Sequence, residues 1–533
     1  MDRKGRTCSC PLATAILMTA LGFILVAFGL SSLALFPYII DNQIRDKLPL
    51  KNTSSSGKNW EKPPVPVYME FWYWNCTNPE EFIAGKEKAN MTQIGPFVYL
   101  EIRDKRNLSF NANGTIFYRE DKAYVFQPQL SNEQIDNEVN VINLPLLTVL
   151  AKLNGSISSS FLQIGVKTIL EDIHINLFER HTIREFFWGY KIPIIDKLAE
   201  DIEKLIKKFP ILKAFLKKFE EELKTMETFG IFYIGKAING TDDGVYEIMS
   251  GTKNINEIGQ YVTYNYNKYL PYWNTRYCNM LNGSDGSLYP PGVTKNSSPC
   301  VFTGDLGRSI CTTYESETNL KGIKLYRFTA PFHTLGNITI NPDNRCFCTP
   351  GCLDSGVLNI SRVRAGAPLV VSQPHFFQAS TKYIYGVNGM TPKSGEHQTF
   401  LEIEPNTGVS MNVAKKIQIN AYLTKIGQYG ILQTENIDTP VIFPLFWLNE
   451  SAKADDKAIN LMKQEAITPM KILGILRWFC IGLGCLFLLI SCFIFFSLYI
   501  KRQDKYQNLI DDREVLTEEY ADSTSIKSNE IET

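Results

Sequence analysis

Two charge-free apolar runs bracket this chain and limit what it can fold into. Residues 12–36, LATAILMTALGFILVAFGLSSLALF, and residues 478–500, WFCIGLGCLFLLISCFIFFSLYI, are each long enough to cross ~30 Å of hydrocarbon. A cleaved signal peptide competes for the first run, because Arg3, Lys4 and Arg6 suit its basic start. The apolar stretch of a signal peptide spans only ~7–15 residues, so an uncleaved anchor is the better reading. Arg477 and Trp478 at one rim of the second run, and Tyr499, Lys501 and Arg502 at the other, suit two membrane interfaces. The expected layout is an N-terminal tail over 1–11, a span over 12–36, a large domain over 37–471, a second span over 472–500 and a tail over 501–533.

Glycosylation sequons decide the sidedness. Asn-x-Ser/Thr occurs at Asn52, Asn75, Asn90, Asn107, Asn113, Asn154, Asn239, Asn282, Asn296, Asn337, Asn359 and Asn449. All lie between the spans, and neither tail has one. One sequon is weak evidence, but a set confined to one segment places that segment outside the cell or in a lumen and the tails in the cytosol. Cysteines in such a compartment read as disulfides. The luminal segment holds Cys76, Cys278, Cys300, Cys311, Cys346, Cys348 and Cys352, an odd number, and Cys76 stands farthest from the rest. In NRCFCTPGC, 344–352, no histidine lies near enough to suggest zinc. An extended 344–348 would point Cys346 and Cys348 to one face, so they would not bond each other. The Thr-Pro-Gly turn can close Cys348 onto Cys352, which leaves Cys346 to find a distant partner.

With 55 basic and 55 acidic side chains, the chain has no net charge to draw it to nucleic acid. Much of the luminal segment reads as β: 95–104, 114–121, 322–331 and 367–377 are short, β-branched or aromatic, and bounded by Gly or Pro. Residues 399–423 read as two strands about Pro-Asn-Thr-Gly, with a phase break in the second arm that suits a bulge. Helical periodicity concentrates over 133–226. Ile195, Leu198, Ile202, Leu205, Ile206 and Phe209 form one stripe; Leu212, Phe215, Leu216, Phe219 and Leu223 form another beyond Pro210, which should break the run into two helices.

Catalytic patterns are missing. There is no G-x-S-x-G, H-E-x-x-H, P-loop or G-x-G-x-x-G, and none of His174, His181, His333, His375 and His397 sits in metal-ligand spacing with another. The pair Glu402 and Glu404 reads as the solvated face of a strand, and His181 as a structural histidine, with a pH sensor as the sharper alternative. The sequence therefore implies no enzyme, no cofactor and no metal.

A set of motifs in order carries a resemblance: CTNPEEF (76–82), GPFVY (95–99), REFFWGY (184–190), NGTDDGVYEIMSG (239–251), YCNMLNGSDGSLYPP (277–291), LKGIKLYRF (320–328), NPDNRCFCTPGC (341–352), PHFFQA (374–379), HQTFLEIEPNTG (397–408) and PLFWLNE (444–450). The chain resembles the class B scavenger receptor family, which includes the fatty acid translocase, the high-density-lipoprotein receptor and the lysosomal integral membrane protein. The resemblance implies an α+β fold: a large antiparallel β-barrel-like luminal domain with an apolar tunnel and an apical helical bundle, anchored by two transmembrane helices. It implies a scavenger receptor that binds lipoproteins, fatty acids, anionic phospholipid surfaces or apoptotic cells at the apex and passes lipid down the tunnel to the membrane. Escort of a luminal protein cargo to lysosomes is the alternative, and self-association stays open. The implied location is the plasma membrane, the endosome–lysosome membrane, or both.

The resemblance also implies Cys278–Cys346 and Cys348–Cys352. Vertebrate members carry a further pair at positions matching Gly307 and Val363, both lost here, while Cys300 and Cys311 are extra and suit a bridge of their own. The fatty acid translocase has apical lysines in a helix matching 171–178, where this chain has none. Instead, the link between the W-G-Y and G-I-F-Y motifs is enlarged over 194–226. Lys204, Lys207, Lys208, Lys213, Lys217 and Lys218 cluster around Pro210 without an intervening acid, beside Ile206, Phe209, Phe215 and Leu216. Such a surface suits anionic lipid heads and acyl chains, or acidic proteins; a solvated helix pair is the plainer reading. Cys8 and Cys10, cytosolic and next to the first span, suit S-acylation. Tyr506-Gln-Asn-Leu509, with the pair Leu509 and Ile510, suits endosomal sorting.

Overall fold

The structure is a computed structural model that describes residues 10–153, 160–172, 174–191, 203–204, 206–207, 210, 213–224, 228–231 and 240–528. It has two compact units: the terminal segments 1–43 and 462–533, and the luminal segment 44–461.

In the luminal unit, period-two alternation of aromatic and β-branched residues produces one antiparallel sheet. Its path runs Tyr261–Tyr264, Tyr246–Met249, Thr115–Phe126, Met91–Phe110, Val67–Cys76, Val441–Lys453, Ser410–Leu423, Phe400–Ile403, Ile323–Thr329, Thr313–Leu320. The two end strands are not paired with each other among the described residues. Trp72 and Trp447 face each other in register and stack at 3.7 Å. Most expected strands fall inside these, with one correction. Only Leu369–Ser372 of 367–377 is a strand, and it is followed by a 3-10 turn at Pro374–Phe376. Proline offers no N–H to a ladder, and His375 and Phe376 adopt φ of 53° and 59°.

The turn at 404–409 also departs from expectation. Glu402 and Glu404 are buried. Glu404 accepts from the Thr407 N–H at 2.8 Å and the Thr407 hydroxyl at 2.7 Å, so it holds the turn closed. Glu402 pairs with Arg327 at 3.1 Å. The register shifts come between Glu402 and Ile403 and between Ile419 and Asn420, nearer the ends of Ser410–Leu423 than the phase break suggested.

The region 133–226 is mixed rather than wholly helical. Glu138–Ile142 pairs as a strand with Phe178–Thr182. The helix Leu144–Leu153 is buried along nearly its whole length, and Ser160–Asp172 and Lys213–Lys224 are helical. Most of the expected first amphipathic helix lies outside the described residues. His181 stacks on Tyr190 at 3.8 Å between Glu179 and Glu185.

Three disulfides close the luminal unit: Cys278–Cys346, Cys300–Cys311 and Cys348–Cys352. The premise of an extended 344–348 fails, because Pro342–Phe347 is a 3-10 helix with Asn341 capping it. Cys300–Cys311 joins the outermost paired residues of the hairpin Cys300–Thr303 with Arg308–Cys311. Cys76 is a buried free thiol whose pKa burial pushes up to about 11, which leaves it inert.

The terminal unit contains two long apolar helices, Cys10–Lys47 and Thr468–Ser528, both of which outrun the expected spans. They pack through small residues. A Cβ on Gly29 would lie 2.4 Å from Ile481 Cγ1, and one on Gly484 would lie 2.9 Å from the Gly22 carbonyl. The Thr19 and Ser491 hydroxyls are 2.5 Å apart, and Ser491 donates to the Ala15 carbonyl at 2.8 Å. Close backbone approach with polar links is how helices associate in lipid.

Candidate functional site

The helix Lys213–Lys224 separates its two faces sharply. Phe215, Leu216 and Phe219 sit in the main core, with Leu216 only 1% exposed. Lys213, Lys217 and Lys218 are exposed on the other face. Lys152 on the neighbouring buried helix pairs with Glu222 at 2.9 Å and fixes the attachment. Lys204 and Lys207 are exposed, and Ile206 packs half-buried against the core. Lys208 and Phe209 lie outside the described residues. The structure therefore corrects one element of the expected surface. Phe215 and Leu216 are buried and hold the helix down rather than lying on the solvent face, whereas the described lysines face solvent.

A second cluster was not anticipated. Along the sheet face that carries Phe97 and Tyr99, the next side chains are Glu101, Arg103 and Lys105. The neighbouring strand continues from Phe126 and Tyr124 to Lys122 and Glu120, then to Tyr118 and Ile116. Phe97 and Tyr99 belong to one apolar cluster, with Phe126 and Tyr124 packed against it, while Tyr118 and Ile116 belong to another. A charged belt separates the two. Lys105 reaches Glu120 at 3.0 Å and Asp285 at 3.8 Å. Arg103 pairs with Glu101 at 3.0 Å and also with Glu450. Lys415 joins Glu450 at 3.0 Å to Asp305 at 3.8 Å, and Arg364 meets Asp305 at 2.7 Å.

The electrostatics of the belt follow from these distances. Burial pushes the Glu120 carboxyl up, but Lys105, Arg103 and Lys122 outweigh it and hold the group at about 2. Glu450 and Asp305 are likewise desolvated yet held well below the carboxylate range, by Lys415 and Arg103 and by Arg364 and Lys415 respectively. Asp305 keeps 62% of its side chain accessible although desolvation is the largest influence on it. It is thus a group ringed by protein and still reached by water. The sequence signal for the belt is Glu101-x-Arg103-x-Lys105, charge at period two directly after the aromatic pair Phe97 and Tyr99 on the same face.

The remaining predicted sites are scattered. Asn52, Asn107, Asn113, Asn282 and Asn296 are exposed, and Asn75, Asn90, Asn337, Asn359 and Asn449 are half-buried; Asn154 and Asn239 lie outside the described residues. Tyr506, Leu509 and Ile510 are exposed on the C-terminal helix, with Arg502 over the Tyr506 ring at 5.7 Å. Cys8 lies outside the described residues, and Cys10 opens the first helix. Among the described residues no group of histidines, cysteines and carboxylates could hold a metal ion.

Comparison with known proteins places this architecture. The sequence model of the CD36 family matches residues 20–495. Lysosome membrane protein 2 of Mus musculus is 35% identical over 447 residues, 83% of this chain and 86% of that protein. The Homo sapiens protein of the same name is 34% identical over 445 residues, with 83% and 86% covered. Scavenger receptor class B member 1 of Cricetulus griseus is 30% identical over 498 residues, 91% of each chain. The chain belongs to the CD36 family: it is a membrane protein whose terminal apolar helices flank a large extracellular or luminal domain, with both termini cytosolic.

Proposed function

We propose that this protein is a receptor that captures lipid-bearing ligands on the lysine face around residues 204–218 and passes lipid to the membrane. Lipoproteins, fatty acids, anionic phospholipid surfaces and apoptotic cells are the ligand classes that suit it. The observation that carries the reading is the helix Lys213–Lys224, whose Phe215, Leu216 and Phe219 are buried in the core while Lys213, Lys217 and Lys218 stay exposed. With Phe215, Leu216 and Phe219 committed to the core, recognition on this helix rests on charge, worth ~1 kcal/mol per lysine near an anionic surface. A membrane-distal position for this helix and an enclosed route through a barrel-like domain belong to the same proposal. Exposed acyl chain in water costs ~0.8 kcal/mol per CH₂, which a sheathed route avoids. The relatives named as scavenger receptors support a binding protein without an enzymatic step.

Replacing Lys207, Lys208, Lys217 and Lys218 with Gln should weaken binding to phosphatidylserine vesicles at least tenfold, and raised salt should mimic the change. A folded quadruple variant that binds like the parent refutes the proposal. The second reading, escort of a luminal protein through endosomes, draws on relatives named for the lysosome membrane and on the exposed Tyr506. A Tyr506→Ala variant should then accumulate at the cell surface; unchanged steady-state location removes the motif from that reading.

A further inference from the structure

Arg308 opens the second strand of the disulfide-closed hairpin and is 8% exposed. Its Nη2 donates to Asn344 Oδ1 at 3.0 Å, and its guanidinium lies over the Phe347 ring at 3.9 Å. Its Nε has no partner. Among the described residues no carboxylate pairs with it, and the group acting on it electrostatically is the Tyr277 phenol. Burial pushes its pKa down to about 10, so desolvation is uncompensated. An unpaired buried guanidinium is costly, and it is well shaped to hold a carboxylate or phosphate through two parallel N–H donors.

The surroundings form a built site. Arg308 lines a solvent-open pocket together with Leu335, Ile338, Phe347, Leu353, Val357 and Leu358. Asn344, the partner of Arg308, donates its amide to the carbonyls of His333, Thr334 and Gly336 at 3.2, 3.2 and 2.7 Å. That fixes both the pocket wall and the guanidinium plane. Phe347 is backed edge-on by Trp273 at 5.0 Å, whose indole donates to the Gly307 carbonyl at 2.6 Å. The base is therefore rigid, with one cation at its end and both apolar side chains and Asn337, Asn344 and Asn359 around it.

We infer that this pocket binds the anionic head of a single-chain lipid, with Arg308 as the anchor and the first carbons of the chain against Leu335, Ile338 and Leu358. This rests on the proposed lipid-binding function but assigns it a site far in sequence from the lysine helix. The test uses the full chain, enzymatically deglycosylated so that a sugar on Asn337 at the pocket wall does not block entry. It is labelled with a photoreactive long-chain fatty acid, with the matching alcohol, and with the fatty acid in competition with inorganic phosphate. The expected result is fatty-acid label on residues 335–338 or 357–359, at least tenfold stronger than label from the alcohol. Competition by phosphate shows that the head alone suffices; its failure shows that the chain is needed as well, and both agree with the proposal.

Arg308→Met keeps the stem and removes the charge, and should abolish that label. Ile338→Trp, which fills the pocket without touching the charge, should do the same. If Arg308→Met does not fold, Ile338→Trp alone decides. Label at those residues that survives a folded variant, or equals that of the alcohol, overturns the assignment. Total fatty-acid binding is measured alongside. Binding without label in the pocket overturns this site and leaves the receptor reading standing; no binding at all overturns both.

Discussion

His375 and His397 stack at 4.1 Å beside Trp447, and each uses a ring nitrogen as acceptor: His375 Nδ1 from the Thr391 N–H, His397 Nδ1 from the Lys393 N–H, both at 3.0 Å. Burial, then the neighbouring positive charges, pushes His375 down to about 3; for His397 burial outweighs Glu396 and gives about 4. Both are therefore neutral near pH 7 and stay mostly neutral as the pH falls toward 5. The unfolded chain binds these protons near 6.5, so it holds more protons than the folded one between that value and about 4. Stability is therefore lost as pH falls through this window. For His397 the loss by about pH 4.5 is on the order of 2 kcal/mol. His397→Gln should flatten the decline in unfolding midpoint between about pH 7 and 4.5; an unchanged slope would show that other groups set it. None of this was legible in the sequence, where the two histidines are far apart and only the fold stacks them.

The elements were more legible than their company. Strands at 95–104, 114–121 and 322–329 were readable because alternation and glycine boundaries are local properties. The pairing of 138–142 with 178–182 was not, because its partner lies across two helices and neither segment alternates for long. Covalent links behave in the same way. Gly307 and Val363 are adjacent, a Cβ on Gly307 falling 2.9 Å from Val363 Cγ2. Gly307→Cys with Val363→Cys should therefore form a bridge, visible as a mass difference on reduction. Loop closure suggests ~4 kcal/mol of stabilisation. Because Gly307 has φ of 57°, strain should take back ~1–2 kcal/mol. In the terminal unit, Gly29→Leu should cost ~1–3 kcal/mol of helix–helix packing. Cysteines replacing Thr19 and Ser491 would report it: they should crosslink readily in the parent background and poorly when combined with Gly29→Leu, and equal crosslinking would mean the seam does not depend on glycine.

For the whole molecule, the two apolar runs and the confined sequons made the topology readable, since membrane insertion and glycosylation both follow local rules. The lysine face was half readable: the described lysines are exposed, but Phe215 and Leu216, expected to meet acyl chains at the surface, serve the core instead. The belt escaped notice because its partners arrive from 101–122, 285, 305, 364, 415 and 450. Its cohesion is testable at Lys105, whose removal takes the nearest cation from Glu120 and the paired cation from Asp285. Lys105→Met should destabilise the luminal unit by ~3–5 kcal/mol, read from thermal or denaturant unfolding, and a neutral outcome would mean water already satisfies those carboxylates. A sheet face that passes from oily to ionic to oily discriminates by polarity. A fully hydrocarbon guest moving along it offers these paired ions no polar partner, whereas a zwitterionic one can lend its own charges to them. Were lipid to travel this face, phosphatidylcholine should outpace a sterol ester, and replacing Arg103 and Glu450 together with Met should reverse that order.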